Sequence, residues 1–121
     1  MIEKIYTWYK IADHINEIDF AENNIALAVI ENKKICIAKF KESVFAFNSQ
    51  CPHAGGFLAD GYIDALGNIV CPIHQYKYDL KNGRNISGEG YYLKNWPVEI
   101  RSDGVYVGLD MQKDSSLYLF S

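Results

Sequence analysis

Two short segments each pair a thiol with an imidazole. The first is Cys51-Pro52-His53 and the second is Cys71-Pro72-Ile73-His74; seventeen residues, 54–70, separate His53 from Cys71. Thiolate and imidazole are donors suited to zinc and iron. Pro directly after each Cys fixes a backbone angle and removes a donor, which stiffens the loop. Gly55, Gly56 and Gly61 let the first loop bend sharply and bring its N–H groups close to a bound group. A lone Cys or His is usually an ordinary loop or core residue. Two Cys-His pairs at short spacing in a chain of 121 residues point instead to a metal. Two ligand arrangements compete. Cys₂His₂ is a set that holds structural zinc. Zinc fingers, however, usually pair Cys with Cys and His with His, whereas each loop here mixes them, and Cys-x-His is tight for chelating one tetrahedral ion. A two-iron cluster with both thiolates on one iron and both imidazoles on the other fits two mixed loops, because each loop then spans the cluster.

The elements around these loops read as strands. Apolar, β-branched and aromatic runs occur at 5–12, 25–30, 35–40, 44–47, 62–64, 68–70, 91–100 and 105–109. Polar 31–34 separates the second and third runs, and 41–43, 65–67, the Asn-Gly turn within 81–84, and 102–104 separate others. Pro97 breaks the run 91–100, which suggests an edge or a bend. Only 14–19 hints at a helical turn. Many short strands with Gly, Asn and Asp turns indicate an all-β sandwich or barrel. The length fits a single domain, 1–121. The C-terminal tail 111–121, with Leu117, Tyr118, Leu119 and Phe120, is apolar enough to pack on the body or on a second subunit.

With its ligands in place, the chain resembles the Rieske proteins. CPH followed seventeen residues later by CPIH is similar to their motif C-x-H…C-x-x-H. The resemblance extends to Trp8-Tyr9-Lys10-Ile11-Ala12, to 36–48, to Tyr76, Asp79, Leu80 and Gly83, to Val98-Glu99 and to Gly104-Val105-Tyr106-Val107, and so spans most of 6–109. It implies an all-β Rieske-type sandwich whose cluster-binding loops, about 49–78, form a subdomain at one tip. It implies one [2Fe–2S] cluster held by Cys51, His53, Cys71 and His74, with both histidines toward solvent. The family commonly has Gly after the second His; Gln75 stands here, so the local turn is expected to differ, with the side chain lying outward. High-potential members add a disulfide between the loops, at positions that are Gly56 and Ile73 here, and a Ser at the position of Tyr76. Lacking these, the chain is expected near the low end of the Rieske range of roughly −150 to +300 mV. Tyr78 matches a family position that can bond a cysteine ligand.

Other residues carry less. Cys36 reads as a buried small hydrophobe, His14 as a loop residue, and Lys33-Lys34 as a solvated turn. Tyr76 and Tyr78 shield the cluster, bond to it, or simply fill the core. Three cysteines are too few for a disulfide framework. A net charge of −3 argues against a nucleic-acid partner. The N-terminus MIEKIYTWYK has no leader-length apolar run and nothing approaches a membrane span, so a cytoplasmic protein without membrane contact is expected. Of three histidines only His14 lies outside the cluster motif, too few for the two-His, one-carboxylate iron site of an oxygenase. The expected role is therefore an electron carrier with no catalytic residues. It resembles the ferredoxin that passes electrons from a flavin-dependent reductase to a terminal oxygenase. A Rieske-type small subunit of an assimilatory nitrite reductase and a zinc-stabilised binding module are the alternatives.

Overall fold

The computed structural model describes residues 5–53, 55–88 and 90–110. Ten strands follow in order: β1 Tyr6–Ala12, β2 Ile25–Ile30, β3 Lys33–Phe40, β4 Ser43–Asn48, β5 Tyr62–Ile63, β6 Asn68–Val70, β7 Lys77–Asp79, β8 Asn95–Trp96, β9 Val98–Arg101 and β10 Gly104–Asp110. They make three antiparallel sheets, ordered β1-β10-β9, β2-β3-β4-β8 and β5-β6-β7. Among the described residues no helix is long and apolar enough to cross a membrane. The expected tail 111–121 lies outside the described residues.

The four-stranded sheet is the middle layer, and β3 shows why. Ile35, Cys36, Ile37 and Ala38 are all buried, and side chains along a strand alternate between its two faces. Ile35 and Ile37 join Ala46, Trp96, Val107 and Leu109 in one core, shared with the β1-β10-β9 sheet. Cys36 and Ala38 join Phe47, Leu58, Ile69 and Tyr78 in a second core, under the β5-β6-β7 sheet. A half-buried strand would have alternated apolar with polar; this one reads as an unbroken apolar run because it serves two cores.

Several expectations are refined. The β2–β3 turn is only Glu31-Asn32, both with positive φ, 51° and 67°; such two-residue turns match the twist of paired strands. Lys33 and Lys34 are therefore the exposed start of β3 and not part of the turn. The run 91–100 is not one strand: β8 pairs with β4, whereas β9 pairs with β10. Pro97 stands at the switch, and its carbonyl accepts a hydrogen bond from Gly108 N–H at 3.0 Å. Strand β7 falls where the sequence suggested only a post-loop stretch. The helical hint at 14–19 is a 3-10 turn, Ile15–Glu17, whose N-cap is His14; its Nδ1 accepts from Asn16 N–H at 3.1 Å.

Candidate metal centre

The third sheet carries the two Cys-His loops. One loop connects β4 to β5 and the other connects β6 to β7. Each is tied back on itself in the same way. Cys51 N–H donates to Gly56 C=O and Cys71 N–H donates to Tyr76 C=O, both at 2.8 Å. In each case the acceptor lies five residues on, so the segment from Cys to beyond His closes into a tight loop. Gly55 N–H returns to Cys51 C=O at 2.8 Å with φ of +72°, a backbone angle that glycine takes without strain. The second loop closes with His74 and Gln75 both left-handed, at 64° and 58°. The expectation that the turn would differ around Gln75 is thus corrected. The turn keeps the conformation that favours glycine and Gln accepts it, at about 1–3 kcal/mol. The Gln75 side chain is exposed, as expected.

The loops touch at Gly56. A Cβ there would stand 2.9 Å from Cys71 Sγ and 3.1 Å from Ile73 Cγ1. The positions that the resemblance links by a disulfide in high-potential relatives are neighbours here, in van der Waals contact instead.

The four donors fall into two pairs. Cys51 and Cys71 are fully buried and close enough to interact with each other. Burial pushes the Cys71 thiol up and the neighbouring Cys51 adds to this, while Ile73 N–H, bonded to the sulfur, works the other way. Two adjacent buried thiolates are costly unless a cation lies between them. The His53 and His74 rings are 5.5 Å apart. His53 Nδ1 is buried with no hydrogen-bond partner among the described residues. Such an orphaned acceptor is explained if it is a metal ligand, so the donor set fits a group that takes thiolates at one end and imidazoles at the other. Among the described residues no three His, Cys, Asp or Glu side chains gather around one ion position.

Tyr78 is wholly buried, and its hydroxyl lies 3.3 Å from Cys51 Sγ. The same hydroxyl accepts from His53 N–H. Burial and the thiol beside it hold Tyr78 far above the usual phenol range. It stays protonated and shares a hydrogen bond with the sulfur, at the position the sequence singled out. Cys36 shares this core but is not part of the centre: burial pushes its thiol up to about 12. The two histidines are not equally open. His74 is exposed, but His53 is only half-exposed. Tyr76 stacks on it at 3.9 Å and the Tyr91 ring lies across it, inclined by 65° with centroids 5.2 Å apart. The sequence flagged Tyr76 but placed Tyr91 in a strand, and no local signal marked its contact with His53. A cleft of about 780 Å³ lined by Tyr9, Lys34, Gln50 and Trp96 among others contains none of the four donors.

Residues 7–97 match the Rieske [2Fe-2S] domain family. The chain is 24% identical over 101 residues to the ferredoxin component of the naphthalene 1,2-dioxygenase system of Pseudomonas aeruginosa, covering 83% of this chain and 96% of that one. The ferredoxin of carbazole 1,9a-dioxygenase from Nocardioides aromaticivorans IC177 has the same fold, with a TM-score of 0.71 at 17% identity over 84% of this chain and 96% of that one. A structure named as an NADH-dependent nitrite reductase small subunit from Mycobacterium tuberculosis gives a TM-score of 0.73 at 15% identity, over 87% and 96% of the two chains. The family match covers three-quarters of the chain, both self-closed Cys-His loops included, so the protein belongs to the Rieske [2Fe-2S] domain family and its cofactor is a [2Fe-2S] cluster.

Proposed function

We propose that Cys51 and Cys71 hold one iron of the cluster, that His53 and His74 hold the other, and that the protein carries single electrons from a flavin-dependent reductase to a terminal oxygenase. The observation behind the ligand assignment is the buried thiol pair beside an imidazole pair, one member of which has an orphaned Nδ1. The bound cluster supplies a one-electron couple. The chain's own residues keep the sulfurs from water, donate hydrogen bonds to them from Tyr78 and Ile73, and leave His74 open to a partner. Pro52, Gly55, Pro72, Ile73 and Gln75 are exposed around the imidazoles and form a small, largely apolar docking surface; Ala54, next to His53 in the same loop, lies outside the described residues. A small contact suits a transient redox encounter, which needs fast release more than affinity. The whole chain acts as one domain without catalytic residues of its own.

Metal and sulfide analysis tests the centre. The purified protein should be red-brown, with about two irons and two acid-labile sulfides per chain, as the family's cluster requires. One zinc and no sulfide, from cells with adequate iron, rejects the assignment. The carrier role is tested by reconstitution with a flavin-dependent reductase and an oxygenase encoded beside it. The nitrite reductase small subunit is the second reading, favoured by the TM-score of 0.73 to such a protein. Copurification with a large sirohaem protein, and no transfer to an oxygenase, would decide for it.

A further inference from the structure

The His53 ring is gripped from two sides by residues that are not donors. Tyr76 lies parallel to it, with centroids 3.9 Å apart and planes inclined by 9°. Tyr91 approaches at 65°, with its centroid 5.2 Å away. The two tyrosines come from separate parts of the chain. Tyr76 closes the second loop through its carbonyl. Tyr91 sits beyond β7 in a segment fastened by the Arg84–Tyr92 bridge and by Leu93 N–H to Gly83 C=O at 2.8 Å. A stacked ring resists tilting of the imidazole, and a second ring inclined across it narrows the room left for it to turn. Each aromatic pairing is strong enough to shift an equilibrium about two- to tenfold. Among the described residues His74 has no tyrosine packed on it in this way, and it is exposed.

Resting on the assignment of His53 as a ligand, we infer that Tyr76 and Tyr91 are positioning residues. Together they fix the plane of the His53 ring and so the direction of its buried Nδ1. The two imidazole ligands are then unequal: His53 is clamped, and His74 is set by its backbone and by solvent. A tyrosine that only fills space would stabilise the domain without orienting one ligand.

Pulsed EPR of the reduced, ¹⁵N-histidine-labelled holoprotein separates these roles, together with the rate of iron loss to a ferrous chelator. The wild type should show two imidazole couplings; fewer would refute the ligand assignment itself and not the clamp. Tyr76→Leu should move one coupling, leave the other, and speed iron loss about three- to tenfold, the scale of one lost aromatic pairing. Tyr76→Phe keeps the stack and should restore both readouts to within about twofold of wild type. Unchanged couplings and iron loss in Tyr76→Leu, or a Phe variant that behaves like Leu, would overturn the inference. If Tyr76→Leu does not load, Tyr91→Ala decides, since that exposed ring can be removed without opening the core. A shift in one coupling supports the clamp, and wild-type couplings with wild-type iron loss overturn it.

Discussion

At the scale of single residues, the three buried cysteines divide by environment. Cys51 and Cys71 sit on self-closed loops with imidazoles nearby, whereas Cys36 lies mid-strand in β3. Replacing Cys51, His53, Cys71 or His74 with Ala should abolish the iron absorption, since each leaves an iron short of a donor. Cys36→Ser should keep it and lower stability by about 1–3 kcal/mol, the cost of a hydroxyl buried without a partner. Iron absorption lost in Cys36→Ser would mean the ligand set is wrong. Tyr78→Phe removes the hydroxyl that lies 3.3 Å from the Cys51 sulfur and can donate to it once that sulfur is a thiolate. Hydrogen bonds to sulfur favour the reduced cluster, so the midpoint should fall. A difference of about 1 kcal/mol between the two redox states amounts to about 43 mV for one electron, measurable by voltammetry. An unchanged midpoint would show that the Tyr78 hydroxyl does not tune the couple. The two mixed Cys-His loops were legible because that spacing is local and has few other uses. Tyr91 was not, because its contact with His53 joins residues nearly forty positions apart, and an exposed tyrosine carries no local mark of its partner.

Among the elements, the strands that pair locally were legible, and those that change sheets were not. The β2–β3–β4 meander follows from apolar runs and short polar turns. Pro97 marked a break in the run 91–100, but not that its halves join different sheets, which long-range pairing sets. Strand β7 escaped notice because two of its three residues, Lys77 and Asp79, are charged and leave no apolar run. The connection after β7 depends on close backbone approach at Gly83. Its φ is +77°, and a Cβ there would lie 1.9 Å from Leu93 C=O, against backbone that cannot move aside cheaply. Gly83→Ala should therefore cost about 3 kcal/mol or more and loosen the segment bearing Tyr91. Gly88 also has positive φ, +95°, but a Cβ there meets nothing within 4 Å. Gly88→Ala should cost only about 1 kcal/mol, from backbone strain alone. Urea unfolding of both variants checks the contrast, and equal losses would show that the clash at Gly83 is relieved.

Across the whole molecule, the buried titrating groups bound the pH range of stability. Asp110 is opposed by its burial, yet Lys94 and Trp96 N–H outweigh this and hold it below the usual carboxylate range. Asp64 is held low in the same way, by Asn68, Leu66 N–H and Lys77 against burial. A depressed carboxylate stabilises the fold above its unfolded value near 3.8, and this is lost as pH falls below about 4. Cys36 acts at the other end. Its thiol is raised from 9.0 to about 12, so its contribution is complete below pH 9 and is lost as pH climbs toward 12. At pH 11 the loss is roughly 2–3 kcal/mol. Denaturant unfolding should give a plateau from about pH 5 to 8 that falls on both sides. Cys36→Val should remove part of the alkaline fall, and a Val variant with the same alkaline profile would assign that fall elsewhere.

The shared strand β3 also decides how far the centre can be treated as a part. Cys36 and Ala38 face the core that holds Cys51 and Cys71, while Ile35 and Ile37 face away, so a single strand is wall to both compartments. The ligand loops are therefore not a cassette that can be lifted out and set on another scaffold. A transplant of 49–78 alone leaves behind the surface on which Leu58, Ile69 and Tyr78 rest, and only a piece that keeps the whole β2-β3-β4-β8 layer carries its own floor.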